Sequence, residues 1–216
     1  MADRAADAPA PRIFVLSPAR LGGERGRLLL RAGARFDLAR AVQGEGATLG
    51  EVMSFVSELY FRGKLAYARA FAAPPPGAIG VQVILPQGGL APADQLVTRE
   101  QLEREGPGDI DAADPVYRQA LLEAALLLEQ SVGSDGRVIL LGSIATDRYC
   151  GPLLEALGRR LHFPAAFVGR GDNSRGGLLL RAARSGDELD YVPVDGATRR
   201  GPRPPRLPRT GSARPS

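Results

Sequence analysis

The sequence predicts an α/β fold: a three-layer, mainly parallel sheet with helices on both faces. Short apolar runs alternate along the chain with longer segments of helical periodicity, the order that successive βαβ units produce. The run at residues 137–141 is continuously apolar at its centre, as in strands that are covered on both faces. A chain of 216 residues is long enough to bury such a core. We therefore expect a single α/β domain over residues 12–198.

The first half of the chain opens with an apolar run that Pro18 ends, which predicts a buried first strand. Further along, Thr48 and Glu51 fit a capping box, and apolar residues follow at helical spacing, so one long helix is expected. Prolines at 74–76 end that helix. In order, these patterns predict a strand at 12–17, helices at 27–31, 37–42 and 48–71, and a strand at 79–85.

The second half continues the alternation of helices and strands. Asp114 is a typical N-cap residue, and Pro115 stands at the favoured first position of the helix. Ser174 is expected to cap the last helix, because serine accepts hydrogen bonds from free amides at a helix start. The predicted elements are a helix from 115 to about 128, a strand at 137–141, a helix at 149–161, a strand at 163–168, a helix at 174–184 and a closing strand at 189–194.

Both ends of the chain are predicted to be disordered, over residues 1–11 and 199–216. The last 18 residues contain six arginines interleaved with prolines and no acidic residue. The formal net charge is +4, so the six arginines leave −2 for residues 1–198. The body of the protein is therefore not basic overall, and the tail either contacts nucleic acid or other anionic surfaces nonspecifically or only aids solubility.

Several classes of protein are disfavoured by composition. Cys150 and His162 are the only residues of their types, which excludes a disulfide framework and a Cys/His zinc site. Both are interpreted as structural, no cofactor is expected, and a metal would have to be held by carboxylates alone. The apolar runs are shorter than the roughly 18 residues that a membrane helix needs. We expect a cytoplasmic protein with no membrane partner.

Candidate binding residues follow three of the predicted strands, in loops rich in glycine and polar residues. In open parallel sheets, ligands bind outside the carboxyl ends of the strands. Glycines allow backbone amides to approach an anion, and arginine holds phosphate or carboxylate bidentately. The densest loop, at 169–177, also precedes a helix amino end and predicts an anion-binding nest. The candidates are Ser17 and Arg20, Gly142 and Ser143, and Gly169, Arg170, Gly171, Ser174 and Arg175.

Candidate catalytic residues lie in the long helix and in the last loop. Lys64 is the single lysine among 28 basic residues, and only lysine can lose its proton near neutrality. Tyr60 lies four residues earlier on the same helix face and is a candidate ligand contact. Gly63 inside a helix indicates close approach by another element. Glu58 and Asp172 are the candidates for general acid or base.

A family resemblance rests on short motifs spread over residues 13–180. The motifs are Ile-Phe-Val-Leu-Ser-Pro-Ala-Arg at 13–20, Glu-Leu-Tyr-Phe at 58–61 with Tyr-Ala at 67–68, Val-Ile-Leu-Pro-Gln-Gly-Gly-Leu-Ala-Pro at 83–92, residues 138–142 with Tyr149, and Pro164 with 169–171. The first motif resembles the amino-terminal strand and Ser-Pro-Ala-Lys turn of YaaA-type peroxide-stress proteins. The others resemble a related bacterial and phage domain of unknown function found beside tRNA-guanine-transglycosylase-like enzymes.

The resemblance implies an α/β domain associated with nucleic acid, base modification or DNA protection. Arg20 stands where the relatives have lysine, and their Cys-Ser-Lys opening is absent. We expect a protein that binds a nucleotide or nucleic acid at the strand carboxyl ends and acts on a nucleobase or its glycosidic bond. The alternatives are a nucleic-acid-binding protein without catalysis and an enzyme for a small anionic metabolite.

Overall fold

The structure, a computed structural model, describes residues 10–106, 110–111 and 113–205. Its strands are β1 (Arg12–Leu16), β2 (Ala47–Thr48), β3 (Val81–Ile84), β4 (Leu90–Pro92), β5 (Leu96–Val97), β6 (Arg137–Leu141), β7 (Leu161–Pro164) and β8 (Tyr191–Pro193). Its α-helices are α1 (Glu24–Leu30), α2 (Asp37–Gln43), α3 (Leu49–Ser57), α4 (Leu59–Phe71), α5 (Arg99–Arg104), α6 (Pro115–Val132), α7 (Asp147–Leu157) and α8 (Asp172–Ser185).

The main sheet has six strands in the order β4-β3-β1-β6-β7-β8. The four inner strands are parallel, while β4 and β8 pair antiparallel at the two edges. β1 lies at the centre because almost all of its side chains, like those of β6, are apolar and buried. A separate ribbon pairs β2 with β5. The mainly parallel sheet expected from the sequence is therefore confirmed.

Helices cover both faces of the sheet, as predicted. α4 packs against α8, and α6 packs against α7. The parallel crossovers place these two pairs on opposite faces, since β3 and β6 lie on opposite sides of β1. The close approach expected at Gly63 is confirmed, because a Cβ atom there would lie 2.6 Å from the carbonyl oxygen of Gly176 on α8. None of the helices in the described ranges is long and apolar enough to cross a membrane.

The predicted capping signals have mixed outcomes. Thr48 forms the capping box with Glu51, and the Asp114 carboxylate accepts from the backbone amide of Val116, both as expected. The prediction for Ser174 is wrong: α8 begins at Asp172 with Gly171 at its N-cap. The N-cap therefore lies three residues earlier than predicted, and Ser174 lies inside the first turn of the helix.

The long helix expected over residues 48–71 is instead two helices, α3 and α4, that meet at Glu58. Glu58 has φ 50° and ψ −118°, a sparsely populated conformation for a residue with a side chain. The backbone amide of Arg62 still bonds to the Glu58 carbonyl oxygen at 3.0 Å, so α4 starts directly after the break.

The carboxyl-terminal segment contacts the body as far as it is described. Residues 199–205 have neither helix nor strand, as predicted. However, the Arg199 guanidinium pairs with the Asp147 carboxylate at 2.6 Å. The backbone of Pro202 also lies against Gly169, since a Cβ atom added at Gly169 would be 2.1 Å from the Pro202 carbonyl oxygen. The expected lack of packed contacts is therefore wrong for residues 199–205. The predictions for 1–9 and 206–216 lie outside the described residues.

Candidate functional site

The sheet has a topological switch point between β1 and β6. From β1 the chain crosses to β3 on one side, and it returns to place β6 on the other side. The loops leaving these two strands therefore diverge at their carboxyl ends and open a crevice. In doubly wound sheets this crevice is where ligands bind.

A cavity of about 330 Å³ occupies this crevice, and we call it the switch-point pocket. Its wall combines hydroxyl groups, two tyrosine rings, one arginine, one lysine and one carboxylate. Residues from the loops after β1 and β6, the start of α4, and the amino ends of α7 and α8 line it: Ser17, Pro18, Ser57, Tyr60, Lys64, Ser143, Thr146, Arg148, Tyr149 and Asp172. Five of the predicted site residues therefore meet here: Ser17, Tyr60, Lys64, Ser143 and Asp172.

Lys64 lies at the base of the pocket with only 1 % of its surface exposed. Its Nζ atom is 2.5 Å from the carbonyl oxygen and 3.0 Å from Oγ of Ser17. The rings of Tyr60 and Phe61 flank the same nitrogen at 4.6 and 4.7 Å. Burial lowers the pKa of Lys64 to about 7, and the nearby Asp172 opposes this shift only in part. Near neutral pH the amine is therefore poised between its charged and neutral forms.

Tyr60 and Ser17 are held tightly around this amine. The Tyr60 hydroxyl is buried and has no hydrogen-bond partner among the described residues. Burial raises the pKa of Tyr60 to about 12, so its hydroxyl stays protonated at neutral pH. Gly142 leaves room for the Ser17 side chain, since a Cβ at Gly142 would lie 3.1 Å from Ser17 Oγ. Gly142 therefore supports Ser17, whereas the sequence predicted it to contact a ligand.

Arg175, which the sequence predicts to contact an anion, is buried and makes several contacts within the protein. It is 8 % exposed and donates to the Phe167 carbonyl oxygen from Nε at 3.3 Å and from Nη2 at 3.1 Å. Its guanidinium also lies over the Phe167 ring and 3.7 Å from the Asp172 carboxylate. Because α8 begins at Asp172, position 175 falls on the inner face of the helix. Arg175 therefore ties α8 to the end of β7.

A second cavity of about 310 Å³ adjoins the switch-point pocket, and we call it the arginine groove. Three arginines, from the loop after β7, from α8 and from the carboxyl-terminal segment, give it a positive wall. Arg170 donates to Ser174 Oγ at 3.2 Å across it. Its lining residues are Leu59, Arg170, Asn173, Ser174, Gly177, Arg181, Arg203, Pro204 and Pro205. The predicted candidates Arg170 and Ser174 thus belong to this groove and not to the pocket.

The remaining predicted residues do not line the pocket. Glu58 is exposed and pairs with Arg25, so the structure does not bring this candidate acid to the pocket wall. Arg20 is exposed on the turn after β1 and is not among the pocket-lining residues. Gly169, with φ 72°, accommodates the backbone of the carboxyl-terminal segment, and Gly171 is the N-cap of α8. Asp172 is therefore the one predicted general acid or base that lines the pocket.

Sequence reasoning missed residues in both cavities. Thr146, Arg148 and Tyr149 lie after β6, in a segment whose sequence alone gives only a weak indication of a binding site. They line the pocket because the switch point lies beside them. Arg181 could have been found from helical spacing, since it follows Gly177 by four residues on the face of α8 that carries Ser174. Arg203 belongs to the tail that the sequence predicts either to contact anionic surfaces nonspecifically or only to aid solubility, so its place in the wall of a cavity was not expected.

A third cavity, of about 350 Å³, lies between α3, β4 and α5. Apolar and amide side chains such as Met53, Leu102 and Gln101 form much of its wall, and no predicted site residue lines it. Within the described ranges, no group of three or more His, Cys, Asp or Glu side chains is close enough to share a metal ion.

Compared with protein families, curated proteins and solved structures, the chain shows no significant match.

Proposed function

We propose that the protein binds nucleic acid, with one nucleotide in the switch-point pocket and neighbouring phosphates in the arginine groove. The observation that carries this proposal is that α4 and α8 each contribute residues to both cavities. Leu59 lines the groove and Tyr60 the pocket, and likewise Asn173 lines the groove and Asp172 the pocket. A ligand that fills both must be longer than a single nucleotide and anionic along its length.

The pocket offers the groups that a nucleoside needs. Hydroxyls of Ser17, Ser143 and Thr146 can bond to sugar and base edges, and the half-buried ring of Tyr149 offers a stacking face. Arg148 is exposed at the rim, where it can hold a phosphate. Asp172 can exchange a proton with a bound base.

The groove offers the groups that a phosphodiester backbone needs. Arg170, Arg181 and Arg203 bring three guanidinium groups around one cavity, beside the amino-terminal turn of the 14-residue helix α8. Arginine binds phosphate oxygens bidentately, and a helix amino end favours negative charge. Such contacts carry no base information, so the groove would hold a strand of any sequence while the pocket selects one nucleotide.

Binding of fluorescein-labelled single-stranded oligonucleotides, followed by fluorescence anisotropy, tests the proposal. The triple variant Arg170→Ala, Arg181→Ala, Arg203→Ala should bind at least about tenfold more weakly, because charge-assisted contacts contribute roughly 1.5–3 kcal/mol each. It should also flatten the dependence of log Kd on log salt by about 2, since each phosphate contact on a single strand contributes about 0.7. Binding of a free mononucleotide should be almost unchanged.

The matched control is the triple variant Arg27→Ala, Arg31→Ala, Arg35→Ala. It removes the same charge from three exposed positions that line neither cavity, so its affinity should stay close to wild type. Equal weakening by the two triple variants would show nonspecific attraction and overturn the role of the groove. If mononucleotide binds but no oligonucleotide does, the ligand is a free nucleotide or another small anionic metabolite.

A further inference from the structure

The pairing of Lys64 with Ser17 has a geometry that binding alone does not require. The Nζ–Oγ distance of 3.0 Å is within hydrogen-bond reach of a nucleophile and its base. Both side chains are buried, with 1 % of Lys64 and 5 % of Ser17 exposed, and both line the switch-point pocket. The pair is thus shielded from bulk water on all sides except the cavity.

The hydrogen bonds around Nζ suit both protonation states of Lys64. As an ammonium, Nζ donates to the carbonyl oxygen of Ser17 at 2.5 Å and to Ser17 Oγ at 3.0 Å. As a neutral amine, it can keep the bond to the carbonyl oxygen and accept the hydroxyl hydrogen of Ser17 with its lone pair. When Nζ is protonated, the hydroxyl can turn to the Leu141 carbonyl oxygen, which lies 3.5 Å from Oγ. The Ser17 hydroxyl therefore has one arrangement for each protonation state of Lys64.

The charged groups that face Lys64 come from three helices. Asp172 and Arg175 on α8 act on it in opposite directions, the carboxylate favouring the ammonium and the guanidinium the neutral amine. Tyr60 on α4 places its ring against Nζ, and Arg148 and Tyr149 on α7 line the opposite wall. Burial outweighs the Asp172 carboxylate, so Lys64 can accept a proton near neutral pH.

We propose that Ser17 is a nucleophile activated by Lys64, and that the pocket cleaves an ester or amide carried by its bound ligand. For its ligand this inference rests on the proposed function, since the acyl compound would be an acylated nucleotide or nucleic-acid end. An acyl carbon fits because its tetrahedral oxyanion is stabilised by hydrogen-bond donors, and the Ser143 and Thr146 hydroxyls line the same cavity.

The reaction balances with water as the only co-reactant. Lys64 Nζ takes the proton of Ser17 Oγ as Oγ bonds to the acyl carbon. The carbon–oxygen or carbon–nitrogen bond to the leaving group then breaks, and Nζ returns the proton to that group. A water molecule, deprotonated in turn by Nζ, attacks the Ser17 ester and releases the acid, and the proton passes back to Ser17 Oγ.

Labelling of the full-length protein with a fluorophosphonate probe tests this inference, because the probe is trapped by activated serines. Mass spectrometry should find one adduct, and peptide mapping should place it on Ser17. The Ser17→Ala variant should form none, and Lys64→Met and Lys64→Arg should react at least about a hundredfold more slowly. Ser131→Ala, which removes an exposed hydroxyl on α6, should react like wild type.

The pH profile separates a base from a lysine that only holds the fold together. In wild type the labelling rate should rise through about pH 7 and level off above it, as Lys64 becomes neutral. A wild-type protein without an adduct, or with a rate independent of pH between 6 and 8, overturns the inference. If the Lys64 variants do not fold, as judged by circular dichroism, wild type and Ser17→Ala still decide it.

The two proposals fail separately. Oligonucleotide binding without any Ser17 adduct leaves the proposed function standing and removes the nucleophile. A Ser17 adduct without oligonucleotide or nucleotide binding keeps the nucleophile and removes the proposed ligand class.

Discussion

Lys64 could be identified as a candidate catalytic residue from the sequence, but its contact with Ser17 could not. The sequence singles out Lys64 because it is the one lysine among 28 basic residues and can lose its proton near neutral pH, and its place in the pocket wall agrees with that choice. The contact between Ser17 and Lys64 was not predictable, because the two residues are far apart in the sequence. Only the packing of α4 beside the end of β1 brings them together. Tyr60, one helical turn away, was predictable from spacing alone.

The pH dependence of stability should reveal the buried amine. In the unfolded chain Lys64 has an ordinary pKa near 10.5, and folding lowers the pKa to about 7. Between these values the unfolded state binds more protons, so stability rises with pH, by about 1.4 kcal/mol per pH unit at most. Urea unfolding of wild type and Lys64→Met at pH 7 and pH 9 measures this. Wild type should gain stability relative to the variant at pH 9.

The comparison with Lys64→Met removes the contributions of other titrating groups, which both proteins share. Parallel stability profiles for the two proteins would mean that Lys64 keeps its proton in the folded state.

Glu58 and Arg175 do not have the surroundings that the sequence predicts for them, and in each case the reason lies in the local backbone. Sequence spacing put Glu58 on a helix, but the break in the backbone at this residue turns it outward, towards Arg25. The sequence predicts Arg175 directly after an N-cap at Ser174, but α8 begins at Asp172, so Arg175 lies inside the first turn of the helix. There it packs against Phe167, and two of its donors bond to the Phe167 carbonyl oxygen.

The crossing of α4 and α8 positions the two halves of the site relative to each other. Gly63 and Gly176 meet there, and a Cβ added to Gly176 would lie 2.7 Å from the Leu59 carbonyl oxygen. α4 carries Tyr60 and Lys64, while α8 carries Asp172 and the residues of the arginine groove. The contact therefore sets the width of the pocket.

Adding a methyl group at this crossing should destabilise the protein. Gly63→Ala and Gly176→Ala should each lower the free energy of unfolding by roughly 1–3 kcal/mol, because backbone cannot move aside as a flexible side chain does. This loss outweighs the gain of about 1 kcal/mol in helix propensity. Chemical denaturation measures the effect.

A control for this crossing is Gly33→Ala, since an added Cβ at Gly33 meets no atom within 4 Å. Gly33→Ala should be neutral or slightly stabilising. If the crossing variants match this control, α4 and α8 can separate at little cost and the pocket width is not fixed by the glycines.

The overall architecture was largely predictable, because a continuous apolar run such as β6 admits few alternatives to a buried parallel strand. The antiparallel edges were harder to predict. β4 and β8 have only three residues each, and a pattern that short does not specify direction. The convergence of the loops after β1, β3, β6 and β7 on one edge was predictable from parallel crossovers, whereas the contact made by residues 199–205 was not.

The effect of an arginine in the carboxyl-terminal segment on oligonucleotide binding should depend on its position as well as on its charge. Replacing Arg199, Arg200 and Arg203 by Ser removes three charges, as does replacing Arg206, Arg209 and Arg214. The first variant should weaken oligonucleotide binding more, because Arg203 lines the arginine groove. Anisotropy titrations at two salt concentrations measure both.

Mononucleotide binding should survive both changes, since no residue of the described part of the segment, 199–205, lines the switch-point pocket. Equal losses of oligonucleotide affinity would mean that the segment acts as a nonspecific polycation.

The pairing of β1 with β6 also bears on how the protein reaches its native state. Arg12 pairs with Arg137 and Leu16 with Leu141, so β1 is matched to a strand that is synthesised far later. Until then β1 has a partner only on its β3 side, and its other edge is open to wrong pairing. Contacts between such distant segments slow folding. The crevice between β1 and β6 can therefore form only after β6 has left the ribosome, so a nascent chain that ends before β6 has no binding pocket to occupy.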